Sequence, residues 1–440
     1  MLVRFGVENY KSFKDMTYLE LISGPQTKMK QFLMENPYNK VLKFIALYGA
    51  NASGKSNLID AMYFSRRIIL TGSEGLSTML RNFKGNKSYD ESSFSYHIVV
   101  KEKYYVYNIS VDMPKREISS EELLIFDDQI SQYQEIYKRN NQSIEINNVV
   151  FSSEIDRINI YRNDFVKNQS SKYSSFLKDL QSKDLKETNL AFLIDIYLWF
   201  FKMIIVKDDN HYSRESLLDF SCKNDDYFLK HQSKLLHDFD TGIDDINMVD
   251  VSLDELEKIE SKFFVEQCLS EFQKNSDKQE IYIRRSYKSE NVYAFINKNN
   301  QLVVKKMLYK HLGESYDFFE ESTGTKKIID LYDIFLSIDR TVIIDEIDRS
   351  FHHNLTVEFI NKFLSTSKNS QLIVTTHDPL LMDLQLFRRD SFWFVERCSD
   401  NSSSLYPLEK FKPRFDKIVY KDYLAGRYNA IPCLSGNEDD

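Results

Sequence analysis

Cysteine is scarce: Cys222, Cys268, Cys398 and Cys433 lie far apart among 440 residues, with no C-x-x-C pair. This argues against both a zinc knuckle and a secreted disulfide framework, and it fits four reduced thiols. A basic excess is also missing. With 58 Lys and Arg against 66 Asp and Glu, the formal net charge is −8. No whole-molecule field draws such a chain onto nucleic acid or anionic lipid, so any DNA contact has to be local. The start, Met1-Leu2-Val3-Arg4-Phe5-Gly6-Val7-Glu8-Asn9, lacks the basic-then-apolar order of a signal peptide. Long apolar runs are absent as well. The most apolar stretch, Leu190 to Val206, carries Asp195 and Lys202 and falls short of a membrane span, so it reads as a buried helix. No heptad register persists, which argues against a long coiled-coil arm, and there is no internal repeat. A cytoplasmic protein without a membrane partner, long enough for two or three lobes, is expected.

What the chain does contain begins at Gly49-Ala50-Asn51-Ala52-Ser53-Gly54-Lys55-Ser56, a match to G-x-x-x-x-G-K-[ST]. Its context strengthens it: Phe44-Ile45-Ala46-Leu47-Tyr48 reads as a buried strand leading in, and a helix leads out through Asn57 and Leu58-Ile59-Asp60-Ala61-Met62. N–H groups of the turn and the positive end of the helix would cradle phosphate oxygens. Lys55 would reach the β- and γ-phosphates, and the Ser56 hydroxyl would ligate Mg²⁺. A nucleoside triphosphate is the expected ligand.

Around this motif the pattern changes along the chain. Val3 to Val7 and Tyr18 to Ile22 read as strands flanking a basic turn, Tyr10-Lys11-Ser12-Phe13-Lys14. Between about 94 and 150 apolar residues alternate with period two, as in Phe94, Tyr96, Ile98 and Val100, which predicts an antiparallel meander. From about 154 to 275 helical spacing dominates. Ser252-Leu253-Asp254-Glu255 is a capping box, followed by the apolar series Leu256, Ile259, Phe263, Cys268, Leu269 and Phe272, either packed core or a partner groove. Strands return from Ile281, after which helix and strand alternate, as for a parallel sheet completed late. Ser399 to Ser404 reads as a surface turn. Three parts are expected: 1–153, with the P-loop and meander; 154–278, a helical insertion lobe; and 279–440, which completes the P-loop domain.

Thr341-Val342-Ile343-Ile344-Asp345-Glu346 is an apolar run ending in two acids. An acid at a strand's carboxyl end can meet the metal side of a nucleotide, where open α/β sheets bind ligands. Asp345 would hold Mg²⁺, and Glu346, pointing elsewhere, would polarise the attacking water as general base. Further on, Gln371-Leu372-Ile373-Val374-Thr375-Thr376-His377-Asp378 is a second β-rich run, whose His377 could meet the γ-phosphate if the two strands are neighbours. Before them, Glu321-Ser322-Thr323-Gly324-Thr325-Lys326-Lys327 opens a helix from Ile328 to Leu336. It could be an anion-binding loop or an ordinary Ser/Thr N-cap.

The P-loop, Asp-Glu with Asp348, and Thr-Thr-His together resemble the ATPases of the ABC class, as in SMC and OLD proteins. Ser-Thr-Gly-Thr-Lys-Lys, the run from Asp345 to His353, Trp393-Phe394-Val395-Glu396 and the stretch Tyr423 to Pro432 extend the likeness to the AAA_15/AAA_21 ATPases of bacterial phage defence, most similar to the RloA and AbiL ATPase-subunit type. The likeness is weakest across about 160 to 275. Asn429 stands where that pattern has Gly, a position where positive φ tolerates Asn best. The resemblance implies an α/β P-loop NTPase of ABC-ATPase type with an antiparallel meander lobe and a helical insertion lobe. It implies a signature loop, Ser322, Gly324, Thr325 and Lys326, that binds the γ-phosphate of an opposing subunit. It further implies adenine-side contacts by Lys11, Ser12 and Phe13, and a Mg²⁺-ligating glutamine for which Gln169 is the candidate. Asp348 would signal across the dimer, or be a solvated acid.

These implications amount to a head-to-tail homodimer, or a higher oligomer, closed by two sandwiched ATP molecules with Mg²⁺. About sixty residues follow His377, too few for the Toprim nuclease domain of OLD proteins. A separate effector encoded nearby, in abortive antiviral defence, is therefore expected. The alternative is an ATP-dependent DNA clamp of repair. The closing stretch interleaves Lys410, Lys412, Arg414, Lys417, Lys421 and Arg427 with Phe411, Phe415, Tyr420 and Tyr423, a surface for DNA or simply a solvated amphipathic face.

Overall fold

The computed structural model describes residues 1–74, 82–84, 90–185, 188–207, 225–275, 281–286, 289–298, 301–336, 339–366 and 369–431. They form two compact units. The first comprises Met1–Lys207, Ile338–Arg349 and Phe359–Asp440; the second comprises Asp208–Ser337 and Ser350–Glu358.

At the centre of the first unit is a six-stranded sheet. Its strands run in the order Ile204–Val206, Thr341–Ile344, Gln371–Thr375, Phe44–Tyr48, Phe392–Arg397, Ser403–Pro407, and all neighbours are parallel except the last pair. The strands Phe44–Tyr48, Thr341–Ile344 and Gln371–Thr375 are buried along their whole length, which is why they read as continuous apolar runs rather than alternating ones.

The meander is a seven-stranded antiparallel sheet in the order Ser143–Ile146, Gln132–Asn140, Glu117–Asp127, Lys103–Asp112, Glu91–Val100, Leu2–Glu8, Thr17–Glu20. The helix Lys55–Thr71 supplies Leu58, Ile59, Met62, Phe64, Ile68 and Ile69 to one core shared with Phe94, Tyr96 and Ile98 of the meander and with Ile45, Ile343 and Ile373 of the parallel sheet. A buried amide ties the two sheets. Gln371 Oε1 accepts from Leu2 N at 2.7 Å, while its Nε2 donates to the carbonyls of Leu2 at 2.8 Å and Leu42 at 3.2 Å.

The stretch expected as a single helical lobe is divided at Lys207. Its first part, with helices Ile155–Lys167, Phe176–Gln181 and Ala191–Lys202, belongs to the unit that carries the P-loop. The reason is a buried carboxylate. Glu121 of the meander accepts from Tyr107 and Tyr137 hydroxyls at 2.8 Å each and from the Phe176 and Leu177 N–H groups at 2.7 and 3.1 Å, capping that helix. Buried Arg139 donates to the carbonyls of Ser171 at 2.9 Å and Ser174 at 2.7 Å. Leu190 to Val206 is likewise no single helix: after Lys202 the chain turns extended, and Ile204–Val206 becomes an edge strand beside Thr341–Ile344. Among the described residues no helix is long and apolar enough to cross a membrane.

The second unit contains the antiparallel sheet Asp245–Asp250, Gln301–His311, Val292–Lys298, Ile281–Arg285, with Glu314–Tyr316 paired to the long strand. The capping box at Ser252 and Glu255 opens a helix, Leu253–Ile259. Leu256, Cys268 and Phe272 pack into the core with Tyr293 and Phe295, whereas Phe263 stays 76% exposed.

Candidate functional site

The P-loop strand ends in a turn that only small residues can make. A Cβ on Gly49 would lie 2.3 Å from the Val395 carbonyl, and one on Gly54, at φ 115°, would lie 2.2 Å from Ser403 Oγ. Ala52 also adopts positive φ, 63°. The turn delivers the helix Lys55–Thr71 with Gly54 at its N-cap and no side chain bonding the first N–H groups. That end of the helix is an anion site in its chemistry. Lys55 Nζ donates to the carbonyls of Gly49 at 2.6 Å and Ala50 at 3.2 Å. Burial pulls its ammonium below the ordinary value, with the Asp345, Glu346 and Asp348 carboxylates working against that fall. Asn51 and Ser56 are exposed, and Ser53 is buried under the turn.

Residues far apart in sequence support the loop from behind. Ser403 Oγ is 2.5 Å from the Ser53 carbonyl and 2.8 Å from Ser12 Oγ, and Ser403 N donates to Ser12 O at 2.7 Å. Asn57 Nδ2 donates to Ser12 Oγ at 2.8 Å. Ser12 therefore braces the P-loop from behind. Ser403, read as part of a surface turn, instead begins a strand and is buried. Lys11 points to Asp60, 2.5 Å from its carboxylate, which also accepts from the Tyr10 hydroxyl and from Lys207. Burial pushes the Asp60 carboxyl up, but the hydrogen bonds of Lys11, Lys207 and Tyr10 outweigh it and hold the group below its usual range. Phe13 is corrected: its ring is fully buried in the main core and has no surface to offer a base.

The strand order decides the rest. Gln371–Thr375 lies between the P-loop strand and Thr341–Ile344, so Asp345, Glu346 and His377 share the carboxyl end of the sheet with the P-loop. Thr375, absent from the expected site, holds three consecutive residues there. Its hydroxyl donates to Asp345 Oδ1 at 2.5 Å and accepts from Glu346 N at 2.7 Å, and its carbonyl accepts from Ile347 N at 3.0 Å. Glu346 sits at φ 52°, which turns its side chain off the strand's alternation. Both Asp348 oxygens accept from His377 N at 3.2 Å, so Asp348 shapes the loop that carries His377.

Gln169 is also corrected. It opens a 3₁₀ turn, Gln169–Tyr173, whose Tyr173 carbonyl accepts from Ser73 N at 2.7 Å, past the far end of Lys55–Thr71. That helix has 17 residues, about 25 Å of rise, which separates Gln169 from Ser56. For a divalent ion the remaining donors are the Ser56 hydroxyl and the Asp345 carboxylate. Hard oxygen ligands in this small number suit Mg²⁺, which keeps waters and phosphate oxygens for its other positions. Among the described residues no cluster of three His, Cys, Asp or Glu side chains is arranged to hold a metal ion.

In the second unit, Ser322 caps the helix Thr323–Leu336, accepting from Thr325 N at 3.1 Å with the Thr325 hydroxyl 2.8 Å away. Lys326 pairs with Glu290 at 3.0 Å. A Cβ on Gly324 would meet the Ser350 carbonyl at 2.9 Å. Glu321, just before the cap, is 2.7 Å from His311 Nε2. In the closing stretch, Tyr423 and Tyr428 stack on Phe394, and Asp422 pairs with Lys417 and Arg427. Part of the aromatic and basic stripe is thus used within the fold. Asn429 has φ 55°, as its place in the pattern requires.

A parallel sheet with a phosphate turn, a helix leading from it, and acids at the ends of neighbouring strands define an α/β protein of the P-loop nucleotide-binding class. Residues 44–383 match the AAA_21 family, described as "AAA domain, putative AbiEii toxin, Type IV TA system", and the chain belongs to that family. It is similar in structure to an SMC head bound to the C-winged helix domain of ScpA, at 12% identity over 93% of this chain and 99% of that chain, TM-score 0.45. It is also similar to the SMC head domain from Thermotoga maritima, at 13% identity over 92% of this chain and 98% of that one, TM-score 0.37. No curated protein matches the chain.

Proposed function

We propose that the protein hydrolyses ATP and uses the cycle as a dimerisation switch. The observation that carries this reading is the strand order, which brings Asp345, Glu346 and His377 to the same end of the parallel sheet as the P-loop and Lys55. Lys55 and the N–H groups of its turn bind and orient the phosphates; Ser56 and Asp345 would hold Mg²⁺, which would supply charge neutralisation at the phosphate oxygens. Glu346 takes a proton from the attacking water, and His377 contacts the γ-phosphate side. Ser322, Gly324, Thr325 and Lys326 serve the nucleotide of a second copy. ATP closes the pair and hydrolysis reopens it.

The family description names a toxin of a type IV toxin–antitoxin system. That description fits a role in a toxin–antitoxin or defence system; a switch that controls a separate effector against phage rests on the sequence likeness to the RloA and AbiL type. The test is light scattering with ATP and Mg²⁺: Glu346→Gln gives a trapped dimer and Lys55→Ala stays a monomer. Equal masses for the two variants sink the sandwich. In a phosphate-release assay Glu346→Gln turns over roughly 10²- to 10⁴-fold more slowly than the native chain.

A further inference from the structure

Asp345 and Glu346 are adjacent residues at one strand end, yet they serve different tasks. A strand continued through both would send their side chains to opposite faces, one of them away from the P-loop. The chain avoids this by leaving the strand at Ile344 and placing Glu346 at φ 52°, where a non-glycine residue persists only if its surroundings hold it. Part of that hold comes from Thr375. Thr375 is fully buried and lies between the two functional strands, in register with Leu47 of the P-loop strand and one residue beyond the Ile344–Val374 pair.

We infer that Thr375 is a positioning residue that sets both acids at once: its hydroxyl proton fixes the Asp345 carboxylate, and its oxygen lone pair fixes the Glu346 main chain. The inference rests on the nucleotide-site reading given above. A hydroxyl is the group that can do this, because it donates and accepts at a single atom. The Asp345 bond at 2.5 Å is a short, charge-assisted one, and the Glu346 N–H has its acceptor at 2.7 Å. The Thr375 carbonyl takes the next N–H, that of Ile347, so three consecutive residues after the strand each bond to Thr375. Valine has the same shape with neither donor nor acceptor; serine keeps both. Residues that orient a metal ligand in this way typically change metal affinity by roughly 10- to 100-fold when removed.

The experiment compares Thr375→Val, Thr375→Ala, Thr375→Ser and Asp345→Asn with the native full chain, measuring ADP affinity by calorimetry in EDTA and then in Mg²⁺, with ATP turnover alongside. In EDTA Thr375→Val binds ADP as the native chain does, which shows an intact P-loop. In Mg²⁺ its gain in affinity is smaller by roughly tenfold or more, turnover falls with it, and Thr375→Ser restores both. If Thr375→Val does not bind ADP in EDTA, Thr375→Ala decides by the same criteria. A full Mg²⁺ gain in the hydroxyl-free variant, with the gain lost in Asp345→Asn, overturns the role of Thr375 and leaves the nucleotide site standing. No Mg²⁺ gain in the native chain, or an undiminished one in Asp345→Asn, overturns the metal role of Asp345 and the inference with it.

Discussion

Ser403 Oγ lies 2.5 Å from the carbonyl oxygen of Ser53, a contact across 350 positions of sequence that presses the last strand of the parallel sheet against the back of the P-loop. The same oxygen occupies the space a Cβ on Gly54 would need. Two substitutions therefore act on one contact. Gly54→Ala meets both the clash and a φ of 115°, and it abolishes nucleotide binding. Ser403→Ala removes a hydrogen bond of about 0.5–1.5 kcal/mol, a loss of roughly 2- to 13-fold in nucleotide affinity by calorimetry. Native affinity in Ser403→Ala would show that the turn holds its shape alone.

Asp60 joins the basic turn before the P-loop to the end of the edge strand, through Lys11 on one side and Lys207 on the other. Asp60→Ala leaves two ammonium groups facing each other beside a buried Tyr10. Removing one partner of a fully buried pair costs about 3–5 kcal/mol. Here Lys11 and Lys207 keep 26% and 24% of their side-chain surface in water, so the expected cost is on the order of 2 kcal/mol. Urea unfolding reads it, and an unchanged midpoint contradicts it.

Acid destabilises the first unit through His97. Burial, aided by Arg4, lowers its pKa from 6.5 to about 4. The unfolded chain then takes up a proton below about 6.5 that the folded chain refuses until about 4, so stability is full above that window and falls as pH drops through it. The slope is about 1.4 kcal/mol per pH unit for one proton, about 3 kcal/mol over the window at most. Denaturant midpoints at pH 7, 6 and 5 should fall less steeply in His97→Gln than in the native chain. Parallel slopes assign the acid sensitivity elsewhere.

The two corrected residues predict opposite outcomes. Gln169→Ala leaves Mg²⁺-dependent nucleotide binding at its native value, because Gln169 stands beyond the far end of the P-loop helix. Phe13→Ala opens a core cavity at about 3–5 kcal/mol, seen as a lowered Tm, and it does not alter the preference between ATP and GTP. A base preference that shifts with Phe13, or a Mg²⁺ requirement that shifts with Gln169, contradicts these placements.

The nucleotide site was legible in sequence where its chemistry is local. The P-loop turn, its helix and the acids ending Thr341–Ile344 follow from short spacings and from what glycine tolerates, and the positive φ at Asn429 from the family resemblance. The period-two meander was legible for the same reason. Thr375 was in view, beside His377, but nothing in a single strand tells which neighbour its hydroxyl will face. Ser403 looked like one more serine of a polar turn. The boundary at Lys207 was hidden because helices on either side of it have the same periodicity, and long-range contacts such as those of buried Glu121 and Arg139 join the first group to the meander.

By itself the sequence determined that a glycine-rich turn joins a buried strand to a helix and that acids end one later strand, since backbone geometry and side-chain spacing act over a few residues. Which strands become neighbours, and hence that Thr375 stands between Leu47 and Asp345, that Phe13 is core and that Gln169 is remote, was decided only by the tertiary structure. Strand order depends on the joint burial of apolar faces from distant segments, a collective free energy that no local pattern contains.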